Sequence, residues 1–253
     1  MPRVLLRSLT FAVLLAALLP ELFATAPTAP GPGPRYPQEF VLKPLKLLPA
    51  SLRAVMTLQQ AAILDSYRSV PDPGPEAVGG ALAAEVEAAL RTLTAEKPSM
   101  DDLAKRFGRI AGLTARFADV SRFGEGLEAG WFADFARYRN SCLHKYVAVF
   151  YDHSPLLFVD GDVGAYLEET RARCEKYARM VAGIYREGGD SSTFDDLSPA
   201  FGISALHYSH TITDVANLWL YCWWKSGGDM TNTPYYTPPP APATGKTEEE
   251  DLE

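Results

Sequence analysis

The stretch Ser198–Gly228, SPAFGISALHYSHTITDVANLWLYCWWKSGG, reads as one long helix with both ends marked. Ser198 followed by Pro199 is an N-cap and first-turn pair, and Gly227-Gly228 is a stop. Between them Phe201, Tyr208, Ile212, Val215, Trp219 and Trp223 recur on one face. His207, His210, Asp214 and Asn217 fall opposite, within an arc of about 80° at 100° per residue. A helix of this length with an apolar and a polar face belongs in a bundle. Its indole-rich end, Trp219 to Trp224, reads as core, with Tyr221 or Trp224 left toward the polar side.

The same period runs through the chain on either side. Asp160 and Asp162 open a helix whose apolar stripe is Val163, Tyr166, Thr170, Cys174, Tyr177, Val181 and Ile184, and Gly188-Gly189 stops it. Ser99 with Asp102 starts another, with Leu103, Phe107, Ile110, Thr114 and Phe117 along one side. On that helix Gly108, Gly112 and Ala115 leave a face with little side chain, which permits a close neighbour. Leu48 to Ile63 is helical up to Ser69-Val70-Pro71-Asp72-Pro73-Gly74-Pro75, a run that no helix survives. Glu76 to Ala95 is an Ala-rich helix, Gly124 to Gly130 a break, and Trp131 to His144 a further helix. Only Tyr146–Tyr151, YVAVFY, alternates like a strand, and one strand makes no sheet. The expected fold is all-α, a compact multi-helix bundle of about six helices.

Composition sets the boundaries. Ten of the 20 prolines lie in two end segments, so residues 27–39 read as a Pro-rich linker and 230–253 as a Pro/Thr-rich acidic tail around a helical domain at 40–229. Arg3 and Arg7 before the apolar run Leu9–Leu19, then small residues to Ala26, give residues 1–26 the pattern of a secretory signal. That run is shorter than the roughly 20 residues of a membrane span. The expectation is an exported protein, periplasmic or extracellular, with no membrane span once mature; an uncleaved anchor is the alternative. Lys plus Arg is 24 against 31 Asp plus Glu, a formal charge of −7, which argues against nucleic acid as a partner. Cys142, Cys174 and Cys222 are too few and too spread for a disulfide framework and read as buried small apolar residues, one bridge at most being possible.

No HExxH, GxSxG, Walker loop, dinucleotide fingerprint or EF-hand loop occurs. The one constellation with metal-binding character is His207, His210 and Asp214, two imidazoles and a carboxylate at i, i+3 and i+7, a mix that suits zinc or iron. Asp72, in a rigid Pro-flanked turn, and Asp119 are the carboxylates available to complete it. The same residues equally suit a solvated helix face, a turn cap and a surface carboxylate.

The order of these features resembles the zinc-dependent phospholipase C and P1 nuclease family. Leu48-Pro49-Ala50-Ser51-Leu52-Arg53, a helix, then Val70-Pro71-Asp72 resembles that family's early helix, which ends in a metal-binding Pro-Asp. Lys105–Gly112 resembles the helix in which the family carries G-x-x-x-H-x-x-x-D, and the final helix through Trp219 to Gly228 resembles its last one. Aligned on Gly108, Gly112 stands at the ligand His and Arg116 at the Asp; aligned on Asp119, Ala115 stands at the His. The resemblance implies the family's all-α fold, zinc as the cofactor, and phospholipid or another phosphodiester as ligand. With that His replaced, it implies a degenerate member: a non-catalytic or altered binding protein of the cell envelope. The alternatives are a metal-dependent phosphodiester hydrolase with a site rebuilt from His207, His210, Asp214, Asp72 and Asp119, and a structural envelope protein.

Overall fold

In the computed structural model, residues 36–124 and 129–231 are described, and all belong to one compact unit. The segment 1–26 that reads as a secretory signal, most of the Pro-rich stretch and nearly all of the tail lie outside them. Nine α-helices and no strand occur among the described residues: α1 Glu39–Leu45, α2 Ala50–Leu58, α3 Gln60–Ser69, α4 Val78–Leu93, α5 Met100–Phe117, α6 Ala129–Ser141, α7 Pro155–Phe158, α8 Val163–Arg186 and α9 Pro199–Lys225. Short 3-10 turns at Val120–Phe123 and Leu143–Lys145 flank α6. No described helix is long and apolar enough to cross a membrane.

Local chemistry sets the helix ends. The Ser99, Asp162 and Ser198 side chains accept the backbone N–H of Asp102, Ala165 and Phe201, which satisfies an otherwise orphaned donor at the start of α5, α8 and α9. After α8 and α9, Gly188 and Gly227 stand at φ +87° and +80°, where a side chain would be strained. The single helix expected before Pro71 is two. The Gln59 N–H turns back to the Val55 and Thr57 carbonyls and closes α2 before α3 begins.

The centre of the unit is α9, which packs against α1, α4, α5, α6, α7 and α8. Trp219 is fully enclosed, stacked on Phe107 of α5 with ring centroids 5.1 Å apart, and its indole N–H donates to the Phe107 carbonyl at 3.0 Å. Burial also covers the polar side of α9: Ser204, His207, Ser209, Thr211, Thr213, Asp214 and Asn217 are all inside. A solvated polar stripe is therefore ruled out. The 3.6-residue period locates a face without saying what covers it.

Two contacts give the unit its shape. Residues of α5 lacking a side chain let α3 lie directly on its backbone: a Cβ on Gly108 would come 2.3 Å from the Ile63 carbonyl oxygen, and one on Gly112 2.9 Å from that of Tyr67. The alternating segment Tyr146–Tyr151 is extended, but its neighbour is a helix. The N–H groups of Val149 and Tyr151 donate to Ser209 Oγ and Thr213 Oγ1 of α9, both at 3.2 Å, and Asn217 Nδ2 donates to the Asp152 carbonyl. Two extended residues advance about 6.7 Å and four helical residues about 6 Å, so a hydroxyl every fourth position keeps step with every second N–H.

At its edges the domain differs slightly from the composition boundaries. Tyr67 Oη donates to the Pro37 carbonyl at 2.9 Å and α1 begins at Glu39, so the folded part starts within the Pro-rich stretch. Met230 is buried and belongs to the core. Cys142, Cys174 and Cys222 are buried free thiols.

Gly108→Ala should destabilise the protein by about 2–3 kcal/mol, since backbone atoms must move apart, and lower Tm by roughly 5–10 °C. Gly183→Ala, in α8 with no atom within 4 Å of the added methyl, should raise stability by about 0.5–1 kcal/mol. Thermal melts of the two variants beside the parent check both signs.

Candidate functional site

Three of the five candidate ligands, His207, His210 and Asp214, project from the buried polar face of α9, and what they surround is a guanidinium. Arg173 reaches in from α8 and donates from Nη2 to Asp214 Oδ1 and Oδ2, both at 2.7 Å. Tyr166 Oη, two turns earlier on α8, donates to the same Oδ1 at 2.7 Å. The Asp214 side chain is 4 % exposed and that of Arg173 20 %, so the pair is desolvated and its two charges satisfy each other.

The histidines are held in the neutral form. His207 Nε2 donates to the Ala118 carbonyl at 2.7 Å, because a carbonyl can only accept, so the bare nitrogen is Nδ1, which is buried without a partner. Burial, then the Arg139 charge, depress the His207 pKa to about 4; Asp119 pulls it up and Arg173 down, and the net is depression. His210 is stacked on Tyr151 with centroids 4.1 Å apart and interplanar angle 12°. Its pKa is also depressed to about 4, by burial and then by Arg173. The third imidazole nearby, His153, donates from Nδ1 to Asn217 Oδ1 at 3.1 Å, and burial lowers its pKa. His144 lies in the 3-10 turn after α6, apart from this group.

Asp72 and Asp119 form a second cluster, joined through arginines. Arg122 Nη2 donates to Asp72 Oδ2 at 2.6 Å, while Asp72 Oδ1 caps its own turn by accepting the Gly74 N–H at 2.9 Å. The hydrogen bond from Arg122 holds the Asp72 carboxyl below its ordinary range. Asp119 accepts from Tyr36 Oη at 2.8 Å and from the Ser121 N–H and hydroxyl. Burial works against its charge, but Arg139, Tyr36 and Ser121 outweigh burial and the pKa is lowered. Arg116 lies over the Tyr36 ring and donates to the Val70 carbonyl at 2.6 Å, tying the end of α5 to the loop before Asp72.

This donor set does not fit a zinc ion. Among the described residues no group of three or more His, Cys, Asp or Glu side chains is disposed to hold a metal. Asp214 and Asp72 are each taken by a guanidinium, and Asp119 by the Tyr36 and Ser121 donors. Zinc needs such ligands deprotonated and free.

Sequence reading missed Arg173, Arg122, Arg139, Tyr36 and Tyr166. Arg173 had a signal: it stands between Thr170 and Tyr177 on the apolar stripe of α8, where an unpaired cation would be costly. Arg139 is 6 % exposed with its Nε unpartnered, on a helix whose weak periodicity gave no such sign.

Beside the Asp72–Arg122 pair opens a cleft of about 590 Å³ between the turn before α4, the end of α5 and the face of α8. Arg122, Arg171 and Arg179 line it with Phe117, Phe123 and Ser121, and Glu76 and Glu175 stand at its walls. Arg122 is paired with Asp72 at 2.6 Å, while Arg171 and Arg179 lie at longer range, 3.6 and 3.9 Å, from Glu168 and Glu175. Arg171 lies over the Phe117 ring, 5.8 Å from its centroid.

No protein-family model, no curated protein and no solved structure matches the chain.

Two outcomes are expected. Arg173→Ala should cost about 3–5 kcal/mol in urea unfolding, because Asp214 is left charged and buried; Arg173→Met with Asp214→Leu should recover most of that loss. The second concerns pH. A depressed histidine pKa means the unfolded chain binds protons that the native one refuses, so the stability from neutral His207 is full above about pH 6.5 and is lost as pH falls toward about 4. His207→Gln should flatten the fall between pH 7 and pH 4 by about 2–3 kcal/mol; an unchanged pH slope in the variant would refute the assignment.

Proposed function

We propose that the chain is an exported, phospholipase C-like helical protein of the cell envelope that binds an anionic phosphodiester headgroup without hydrolysing it. The observation that carries this reading is the Arg173 guanidinium at 2.7 Å from both Asp214 oxygens, on the helix face where the spacing of His207, His210 and Asp214 suggested a metal. A guanidinium there neutralises the carboxylate as an ion would, but it carries no bound water to activate. What is left for recognition is the cleft. Its volume of about 590 Å³ is within the usual range for a small ligand, and Arg171 and Arg179, held only loosely by their glutamates, suit phosphoryl oxygens, while Phe117 and Phe123 offer apolar surface to the ligand's remainder. The His residue absent from the Gly108–Asp119 helix in either register supports the same reading.

The test pairs binding with turnover. Dihexanoylphosphatidylglycerol, titrated calorimetrically below its micellar concentration, should bind in the micromolar to millimolar range. Arg171→Gln with Arg179→Gln should weaken it about tenfold, one to two charge-assisted hydrogen bonds being lost. Bis(p-nitrophenyl) phosphate should be hydrolysed no faster with protein and added zinc than with zinc alone. Turnover that requires His207 and Asp214, or binding indifferent to both arginines, would overturn the proposal.

A further inference from the structure

The free edge of the Tyr146–Tyr151 segment faces a groove unrelated to the arginine cleft. Hydrogen bonds to α9 use the odd-numbered positions: the Val147 carbonyl accepts from Ser209 Oγ, and the Val149 and Tyr151 N–H groups donate to Ser209 and Thr213. In extended chain the N–H and C=O of alternate residues point to opposite edges. Those of Ala148 and Phe150 therefore point away from α9, and they have no hydrogen-bond partner among the described residues. Side chains on this segment are also less covered than a core strand's: Val147 is 78 % exposed and Val149 46 %.

A groove of about 340 Å³ runs along this edge, and its other wall is the end of α1 with the residues after it. Lys43 and Lys46 stand on that wall beside Leu47, with Ile212 at the base, and no acidic residue lines the groove. Neither lysine is in an ion pair among the described residues, and Arg53, which donates to the Lys46 carbonyl, adds a third positive charge next to them. An unpaired edge of this kind is normally blunted by charge, a bulge or a covering element. Here the covering helix lies on one edge only.

We infer that this groove is a docking site for an extended, acidic peptide segment of a partner protein, which adds as a strand to Ala148 and Phe150 and sets its carboxylates against Lys43 and Lys46. Main-chain pairing supplies affinity with little sequence demand, and the lysines select for acidic side chains. Two paired residues and two ion pairs are a small contact, so the association is weak and salt-dependent.

The probe is a fluorescein-labelled hexapeptide of alternating glutamate and valine, blocked at both ends, titrated with the full chain and followed by anisotropy. Binding in the high-micromolar range is expected, weaker by at least fivefold in Lys43→Glu with Lys46→Glu, whose folding is checked by circular dichroism. N-methylation of one alternate set of peptide amides should abolish binding, and methylation of the other set should spare it. A lysine-valine peptide that binds as well, an unchanged affinity in the charge-reversed protein, or equal tolerance of both methylation sets would each overturn the inference. So would no binding of the acidic peptide at millimolar protein.

Discussion

Arg173 and Asp214 form a desolvated ion pair at the centre of the helix around which the other helices pack, and most of the polar interior follows from that pair. A carboxylate 4 % exposed on α9 needs a counter-charge and further donors, and α8 supplies both from one face, Arg173 and Tyr166. To do so α8 must lie alongside α9 in a fixed register, with Tyr166, Thr170, Arg173 and Tyr177 all turned inward. Burial keeps His207 and His210 neutral, reinforced at His207 chiefly by Arg139 and at His210 by the guanidinium. Such a pair contributes little net stability compared with well-packed apolar side chains, and its larger effect here is on which register the two helices adopt.

Other parts of the bundle are fixed by close approach. Gly108 and Gly112 bring α3 against the α5 backbone, and Arg116 then spans from the Gly112 carbonyl to the Val70 carbonyl, closing the turn that carries Asp72. Arg122 binds that turn to the 3-10 turn that follows α5, beside the cleft. On the opposite side of α9, Ser209, Thr213 and Asn217 use the same four-residue spacing to hold an extended segment. A single helix thus presents apolar side chains to α5, a carboxylate to α8 and hydroxyls to a strand-like stretch.

The sequence was legible where the cause is local. Ser99, Asp162 and Ser198 cap the helices they were expected to cap, and the small residues of α5 admit a neighbour as their pattern suggested. Legibility ended where a partner is distant in the chain. The polar face of α9 was placed correctly, but its period could not say that Arg173, 41 residues earlier, would cover it. The alternation in YVAVFY signalled extended backbone but not its neighbour, because a row of hydroxyls on a helix satisfies alternate N–H groups as a strand does. Tyr36 was assigned to a linker by the prolines around it, and only its hydroxyl on Asp119 shows that it belongs to the fold. Of the site, the carboxylates and imidazoles were found and the arginines that define their chemistry were not.

The guanidinium at the centre of the site can be tested directly by diffraction from crystals soaked in millimolar zinc, with data collected at the zinc absorption edge. Arg173 should remain on both oxygens of Asp214, with no anomalous density beside His207, His210 or Asp214. A zinc peak at about 2.0–2.2 Å from an imidazole nitrogen and an Asp214 oxygen, with Arg173 displaced, would contradict the reading of this site as one held together by arginine.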